Sequence, residues 1–420
     1  MLYKPSPATF RMTTVYVYYL CRLNLFPIMM ITFEQALEII QSQPPNGMVE
    51  HIDFQAAAGR VLSHPVSSDT DMPPFNKSAM DGYACRKADL PGPLRVDGEV
   101  PAGEMHAHPL SEKSCVRIMT GAPLPQGADC VIMDEHTTVD SEGMVFFTKE
   151  FSKTNVCYQG EDVKVGQELI EASTLLGSEH IAILASAGAV EVEVSRQPVI
   201  AVYSTGNELV EPGEKLHRSM IRNSNGYQIA AQLRQCGLPA QYRSIIPDTY
   251  EATVETINEA FLKHDIVVLT GGVSHGTYDY VPQAMAACGI EILFHHLAVQ
   301  PGKPSLFGKR NDGKYFFGLP GNPVSCFLQT ELLVKLLCYQ LQGHRYHPPA
   351  VRLPMGVAYV RKRTQRKAFV PVRITNGELF PVNYHGSANI QALHGAHGFM
   401  VIEQGVPQID KGAMADVRLI

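Results

Sequence analysis

Ile266-Val267-Val268-Leu269-Thr270-Gly271-Gly272-Val273-Ser274-His275-Gly276 decides the fold. An unbroken apolar run ends at a hydroxyl and a cluster of glycines. A strand buried on both faces needs such a run, and strands of that kind belong to parallel sheets covered by helices. The flanking sequence repeats the pattern. Val199–Tyr203 is a compact apolar strand, Ser244–Ile246 ends another, and Tyr315–Phe317 is a further one, running into Gly318-Leu319-Pro320-Gly321-Asn322-Pro323-Val324-Ser325. Helical stripes lie between them. One covers Asn225–Gln235; another is opened by Asp248-Thr249-Tyr250-Glu251 as a capping-box-like start, with Val254, Ile257, Phe261 and Leu262 on one stripe. Strand and helix alternating in this way predict a doubly wound, mostly parallel α/β domain over residues 179–345.

The signals change on either side. A helix begins at Thr32 as N-cap, with Glu34 in its first turn and Ala36, Leu37, Ile39 and Ile40 on its apolar side. A second short pattern, Phe54–Leu62, ends before His64-Pro65. Residues 31–66 and 151–178 read as a small linking domain and 67–150 as a β-rich domain, where short runs such as Cys115–Met119 and Asp129–Met133 alternate with turn pairs. After His344 the helical patterns stop. Residues 346–420 break into short strands, which predicts a closed or nearly closed, barrel-like all-β domain. The chain is therefore a multidomain α/β protein.

Composition narrows the function classes. At 420 residues the chain exceeds one ordinary core. A formal charge of −6 argues against a general nucleic-acid binder. The nine cysteines include no C-x-x-C pair, so no zinc or redox motif stands out and the thiols fit a reducing cytoplasm. The apolar stretch from Met12 to Met30 is interrupted by Arg22 and Asn24, short of the roughly 20 apolar residues that span a bilayer. It also lacks a small-residue cleavage site. Residues 1–30 read as a poorly ordered extension, with Met12, Met29 and Met30 as alternative starts, and no membrane partner is expected.

Ligands of open α/β sheets bind outside the carboxyl ends of the strands, so the loops there carry the chemistry. Ser204-Thr205-Gly206-Asn207-Glu208 offers hydroxyls and backbone N–H groups for phosphate oxygens and a carboxylate for a cation; it reads equally well as an ordinary turn. Gly271, Gly272 and Gly276 let the backbone turn its N–H groups toward an anion, with Ser274 among them, but the loop is neither a Walker A sequence nor G-x-G-x-x-G. Asp279 follows at a helix start, where an Asp is ordinarily a cap, and His275 alone is ordinarily a solvated loop residue. Pro301-Gly302-Lys303-Pro304-Ser305 is a stiff loop around a point charge, either an oxyanion cradle or a rigid surface turn. In the loop of Pro320, Gly321, Asn322 and Pro323, Asn322 fits an N-cap and Pro323 the first helical position of a helix running to Leu341, which presents a helix N-terminus to an anion. The β-rich region adds Asn76–Ala84 (containing Asp81), Arg117–Pro123 (containing Thr120) and the polar turn Gly160-Glu161-Asp162.

In these stretches, in order, the sequence resembles the MoeA / gephyrin E-domain family: NKSAMDGYA, RIMTGAP, QGEDV, STGNEL, TGGVSHGTYD, PGKP and GLPGNPVS match its pattern between about Thr32 and Ile420. The resemblance implies four domains and an elongated homodimer, with the active site between the molybdopterin-binding α/β domain of one subunit and the β-rich domain of the other. It implies a molybdenum transferase that inserts molybdate into adenylylated molybdopterin with Mg²⁺, releasing AMP and molybdenum cofactor. Carried over by position, Asp81, Thr120, Asp162, Glu208, Asp248 and Asp279 become catalytic candidates, with Glu208, Asp248 and Asp279 positioning Mg²⁺ or water. Ser204, Thr205, Gly206, Gly271, Gly272, Ser274, Gly302, Lys303, Pro320, Gly321, Asn322 and Pro323 become candidates for the cofactor and its phosphate. The partners it implies are a second copy of the chain, the adenylyltransferase that makes the substrate, and apo-molybdoenzymes or their chaperones.

Three positions depart from the family pattern by loss of a cation: Cys157-Tyr158-Gln159, Gln300, and Phe369-Val370-Pro371. Arg361, Lys362, Arg363 and Arg373 are the candidates to replace the lost charge. A stand-alone adenylyltransferase would lack the β-rich and C-terminal domains. A molybdopterin-binding scaffold would not need the carboxylates, which are all present. A tungstate-using paralogue stays open, because the two oxyanions are nearly alike in size and charge.

Overall fold

In a computed structural model of the protein, residues 30–273, 280–383 and 385–420 are described. They cluster into two compact units. The first runs up to Glu50 and includes Gly59–Val61 and Val194–Ile420, and the second is His51–Ala58 and Leu62–Glu193.

The first unit is organised by a six-stranded sheet. Its strands, in spatial order, are Ala240–Ile246, Ile200–Thr205, Ile266–Thr270, Tyr315–Leu319, Leu306–Arg310 and Ile290–His295. The first four run parallel, Leu306–Arg310 runs antiparallel to them, and Ile290–His295 runs antiparallel to Leu306–Arg310. Side chains alternate between faces, and the strands split accordingly between two cores. Ile200, Val202, Ile266, Val268 and Phe317 pack with Ile229 and Leu233 of the helix Asn225–Gln235 and with Leu333 and Leu337 of the helix Pro323–Leu341. Ala201, Tyr203, Val267, Leu269 and Phe316 pack on the other side against Ile257 and Phe261 of the helix Tyr250–Lys263 and Ala284 and Met285 of the helix Val281–Ala287. This is the doubly wound sheet that the apolar runs predict. The helix that follows Ile200–Thr205 and the helix that follows its neighbour Ala240–Ile246 pack on opposite faces, and ligands of such sheets bind at the carboxyl ends of the strands.

Local signals set the remaining elements. Phe33–Gln41 is capped by Thr32, whose hydroxyl accepts from Gln35 N–H while Gln35 returns a bond to Thr32 N–H. Phe54–Ala56 forms only a 3₁₀ turn, short of the helix-like pattern in Phe54–Leu62. Tyr250–Lys263 is capped by Thr249 rather than Asp248, because the Asp248 carboxylate is engaged elsewhere. Pro323–Leu341 is one helix with a π turn at Thr330–Val334. It is long and apolar enough to cross a membrane, but most of it is buried inside the protein, which is how a core helix reads.

The C-terminal residues form a separate sheet, with strands Val299–Gln300, Lys367–Thr375, Gly398–Ile402, Met414–Leu419 and Ala350–Pro354 in that order and Glu378–Pro381 beside Lys367–Thr375. It is all-β as expected, but the path is open and no closed barrel forms among the described residues. One edge strand, Val299–Gln300, comes from before the α/β region ends, so a boundary at 346 does not separate the two sheets.

The second unit holds a four-stranded sheet, Arg95–Val100, Ser114–Ile118, Gly82–Cys85 and Cys130–Met133. Cys85, Cys115 and Cys130 align across three of its strands and are fully buried, which raises the pKa of the Cys115 thiol to about 12.

Candidate functional site

Three adjacent parallel strands end at one cavity of about 410 Å³. Ser204, Thr205 and Gly206 close the Ile200–Thr205 strand, Thr270, Gly271 and Gly272 close the Ile266–Thr270 strand, and Pro320, Gly321, Asn322 and Pro323 follow the Tyr315–Leu319 strand. Glu208, Arg222 and Asp248 also line it. The expected loops therefore converge on one edge.

Gly271 shows why glycine is required there. Its φ is +99°, and an added Cβ would lie 2.3 Å from the Thr205 carbonyl oxygen. The backbone of one strand end thus passes directly over the next, as a site made from main-chain N–H groups needs.

Polar partners fix these strand ends. Thr205 donates its hydroxyl to Asp248 Oδ1, Asn207 N–H donates to Asp248 Oδ2, and Asp248 N–H donates to Asn207 Oδ1. Ser204 donates to Asn223 Oδ1 at 2.9 Å. Asn225 donates through Nδ2 to Thr270 Oγ1 at 3.0 Å and to the Gly321 carbonyl at 2.7 Å, and Thr270 donates to the Pro320 carbonyl at 3.1 Å. The buried Asn225 amide therefore ties the Thr270 and Gly321 loops together, while Asn223 holds the Ser204 loop. Neither Asn223 nor Asn225 stands out in the sequence, where Asn225 reads only as a helix start; their role depends on strands far apart in the chain.

Asn322 is the N-cap of the following helix, yet its side chain makes no cap bond and donates instead to Ser387 at 2.9 Å. Pro323 has no N–H, and Val324 N–H is already donated to the Ser387 carbonyl. Two first-turn positions therefore offer nothing to an anion, so the helix N-terminus contributes less than the sequence suggests.

A second cavity of about 300 Å³ adjoins the first and shares Pro304, Pro320 and Asn322 with it. Gly302 and Lys303 line it, together with Gln300, Ser325, Arg366 and Ser387. The charge differs sharply between the two. The first cavity carries the carboxylates Glu208 and Asp248 with one cation, Arg222; the second carries Lys303 and Arg366 and no carboxylate among the described residues. Burial lowers the Arg366 pKa, helped by the neighbouring Arg363, and its guanidinium donates to the Val299 carbonyl at 3.0 Å.

In the second unit Asp81 accepts from Thr120 twice, from the backbone N–H at 2.6 Å and from the hydroxyl at 2.8 Å. Those bonds hold its carboxyl below the usual range. Asp162 lies in the same unit, exposed, with its N–H on the Met72 carbonyl. Ser274 and Asp279 lie outside the described residues, as does His275.

Known proteins match along nearly the whole chain. Residues 31–188 match the MoeA N-terminal region (domains I and II), 201–338 the probable molybdopterin binding domain, and 357–420 the MoeA C-terminal region (domain IV). A molybdopterin molybdenumtransferase of Staphylococcus epidermidis is 32% identical over 93% of this chain and 95% of its own length. One from Staphylococcus aureus is 36% identical with the same coverage. The chain belongs to the MoeA family. Among solved structures, a molybdopterin biosynthesis MoeA protein from Pyrococcus horikoshii OT3 superposes with a TM-score of 0.81 at 25% identity, covering 93% of this chain and 100% of its own. A second MoeA structure from Pyrococcus gives 0.77 at 30% identity, covering 93% and 99%.

Against that family the three departures have distinct settings. Gln300 is on the wall of the Lys303 cavity. Gln159 donates through Nε2 to Asp71 at 3.2 Å. Phe369 is buried edge-on against Phe33 at 5.4 Å, so this stretch serves packing. Of the replacement cations, Arg373 is turned to the Gly395 carbonyl, and Arg361 donates to the Arg366 and Ile402 carbonyls. The cation in this MoeA-family cavity besides Lys303 is Arg366, which the motifs do not single out.

Proposed function

We propose that the protein is a molybdopterin molybdenumtransferase, inserting molybdate into adenylylated molybdopterin and releasing AMP in molybdenum-cofactor biosynthesis. One observation carries the reading: two cavities share a wall, one holding the carboxylates Glu208 and Asp248 with strand-end backbone and a single cation, Arg222, the other holding Lys303 and Arg366 and no carboxylate among the described residues. A phosphorylated pterin suits the first, where the Thr205–Gly206 and Gly271–Gly272 backbone can hold its phosphate. A tetrahedral oxyanion suits the second, where Lys303 and Arg366 offset its charge. The shared wall keeps the two reactants adjacent without placing like charges in one cavity.

The wall of the first cavity fits Mg²⁺. Its side-chain donors among the described residues are hard oxygens, and Mg²⁺ takes one or two carboxylates and fills the rest with water and phosphate. Glu208 and Asp248 would hold the ion, which when bound supplies charge neutralisation at the phosphoanhydride. Asp248 keeps its orientation through Thr205 and Asn207, and Asp81, held ionised by Thr120, is the candidate carboxylate of the second unit. The same reading takes the protein to be a cytoplasmic homodimer that receives substrate from an adenylyltransferase and delivers product to apo-molybdoenzymes or their chaperones.

The test is AMP release from adenylylated molybdopterin with Mg²⁺ and molybdate, comparing wild type with Asp248→Asn. Release that depends on molybdate and drops at least about a hundredfold in the variant supports the transferase. A wild type that binds molybdopterin but never releases AMP would make it a scaffold.

A further inference from the structure

The stretch Arg361 to Lys367, from the end of the strand Tyr359–Val360 to the first residue of Lys367–Thr375, carries five cations in seven residues, in a chain of net charge −6. They are not equivalent. Lys367 is neutralised by Glu34 and Glu403. Arg361 and Arg366 are part-buried and spend donors on backbone carbonyls. Lys362 and Arg363 are exposed, and no ion pair or hydrogen bond engages either side chain among the described residues. Arg363 is close enough to Arg366 for the two charges to repel, and Arg366 is a wall of the Lys303 cavity. The exposed Arg363 thus lies three residues from Arg366 on the same stretch, and Arg366 lines one cavity with Lys303.

Uncompensated like charges held together cost stability, and a turn tolerates almost any polar residue, so the fold does not require them here. A cavity rim of one sign raises the local concentration of the opposite ion and its entry rate.

We propose that Lys362 and Arg363 form an electrostatic entry rim that draws a tetrahedral dianion to the Arg366–Lys303 cavity. The proposal rests on the transferase reading, because that reading makes the ion a substrate. It assigns the rim to capture and leaves the chemistry to residues deeper in the site.

The experiment compares wild type, the Lys362→Ala/Arg363→Ala double variant and the charge-keeping Lys362→Arg/Arg363→Lys double variant. Two readouts are taken across ionic strength: equilibrium dialysis of molybdate on the full chain, and kcat and KM for molybdate in AMP release. Expected for the alanine variant is a fall in kcat/KM of about tenfold at low salt with kcat unchanged. The difference should vanish near 1 M salt, where the screening length is about 3 Å. The charge-keeping variant should behave as wild type. Wild-type kcat/KM and salt slope in the alanine variant would overturn the rim while leaving the transferase reading intact. Failure of the wild type to bind molybdate at all would overturn both.

Discussion

Thr205, at the end of one parallel strand, donates its hydroxyl to Oδ1 of Asp248, just past the end of the neighbouring strand. The bond converts strand register into the position of a carboxylate. Thr205→Val keeps the shape and removes the donor, leaving a carboxylate oxygen short of a partner. Urea unfolding should show a loss of about 1.5 kcal/mol, and AMP release should fall because Asp248 can rotate. Thr205→Ser should restore both. An unchanged urea midpoint in the valine variant would mean that the bond does not support the fold.

Gly271→Ala should be far more damaging than its single methyl group suggests. The φ of +99° is unfavourable for alanine, and the new Cβ would meet the Thr205 carbonyl oxygen at 2.3 Å. Molybdopterin binding, followed by fluorescence titration, should be lost along with several degrees of Tm. Gly313→Ala, with open space around it at a comparable φ of +81°, separates the backbone cost from the collision. Equal effects of the two would rule the collision out.

The Asp81–Thr120 pair predicts a pH effect. Thr120 lowers the folded-state pKa of Asp81, so the pair stabilises the fold above the unfolded carboxylate pKa, and the contribution disappears as pH falls through the folded value. Thr120→Val should raise the Asp81 midpoint, read by carboxyl-carbon NMR. The acid limb of kcat against pH should move up with it. An unmoved midpoint would show that solvent, not Thr120, sets the ionisation.

Glu331 and Lys335 pair at 2.7 Å within the long helix, with side chains only 13% and 10% exposed. Burial pulls the Lys335 pKa down, but Glu331 more than offsets it and the net shift is upward. That stabilisation is therefore present at neutral pH and lost only as pH rises through the elevated lysine value. Glu331→Leu alone should cost about 3 kcal/mol in denaturant unfolding, since it strands a buried ammonium. Glu331→Leu with Lys335→Met should recover most of the loss. A single variant as stable as wild type would indicate that Lys335 reaches water.

Gln300→Lys adds a cation to the wall of the Lys303 cavity. Half-saturating molybdate should fall several-fold, more at low than at high salt. No change would mean that Arg366 already meets the requirement for charge there.

The sequence revealed the sheet because the short, β-branched run Ile266–Leu269 stops at Thr270-Gly271-Gly272 and alternates with helical stripes, which together fit a central strand and not a buried helix. It also revealed the loops, because chain direction alone puts Thr205, Thr270 and Leu319 at one edge. It did not reveal how those loops are fastened. Asn225 reads as an ordinary helix start, and Asp248 as a cap, until Thr270 and Thr205 are brought beside them by strand order. Arg366 was hidden for a similar reason. It is one of five neighbouring cations, and only the edge pairing of Val299–Gln300 with Lys367–Thr375 singles it out. The open C-terminal sheet was missed because closure depends on which edges pair, and alternation within strands says nothing of that.

Pro304, Pro320 and Asn322 belong to both cavities at once. A common partition makes the two occupants thermodynamically interdependent: whatever conformation one of them selects in those residues is the conformation the other encounters. If the pterin tightens the oxyanion's hold by some factor, the oxyanion must tighten the pterin's by the same factor, because the cycle of binding steps closes. Proline on two of the three positions limits how far the partition can yield, so the influence would pass through small displacements rather than a hinge.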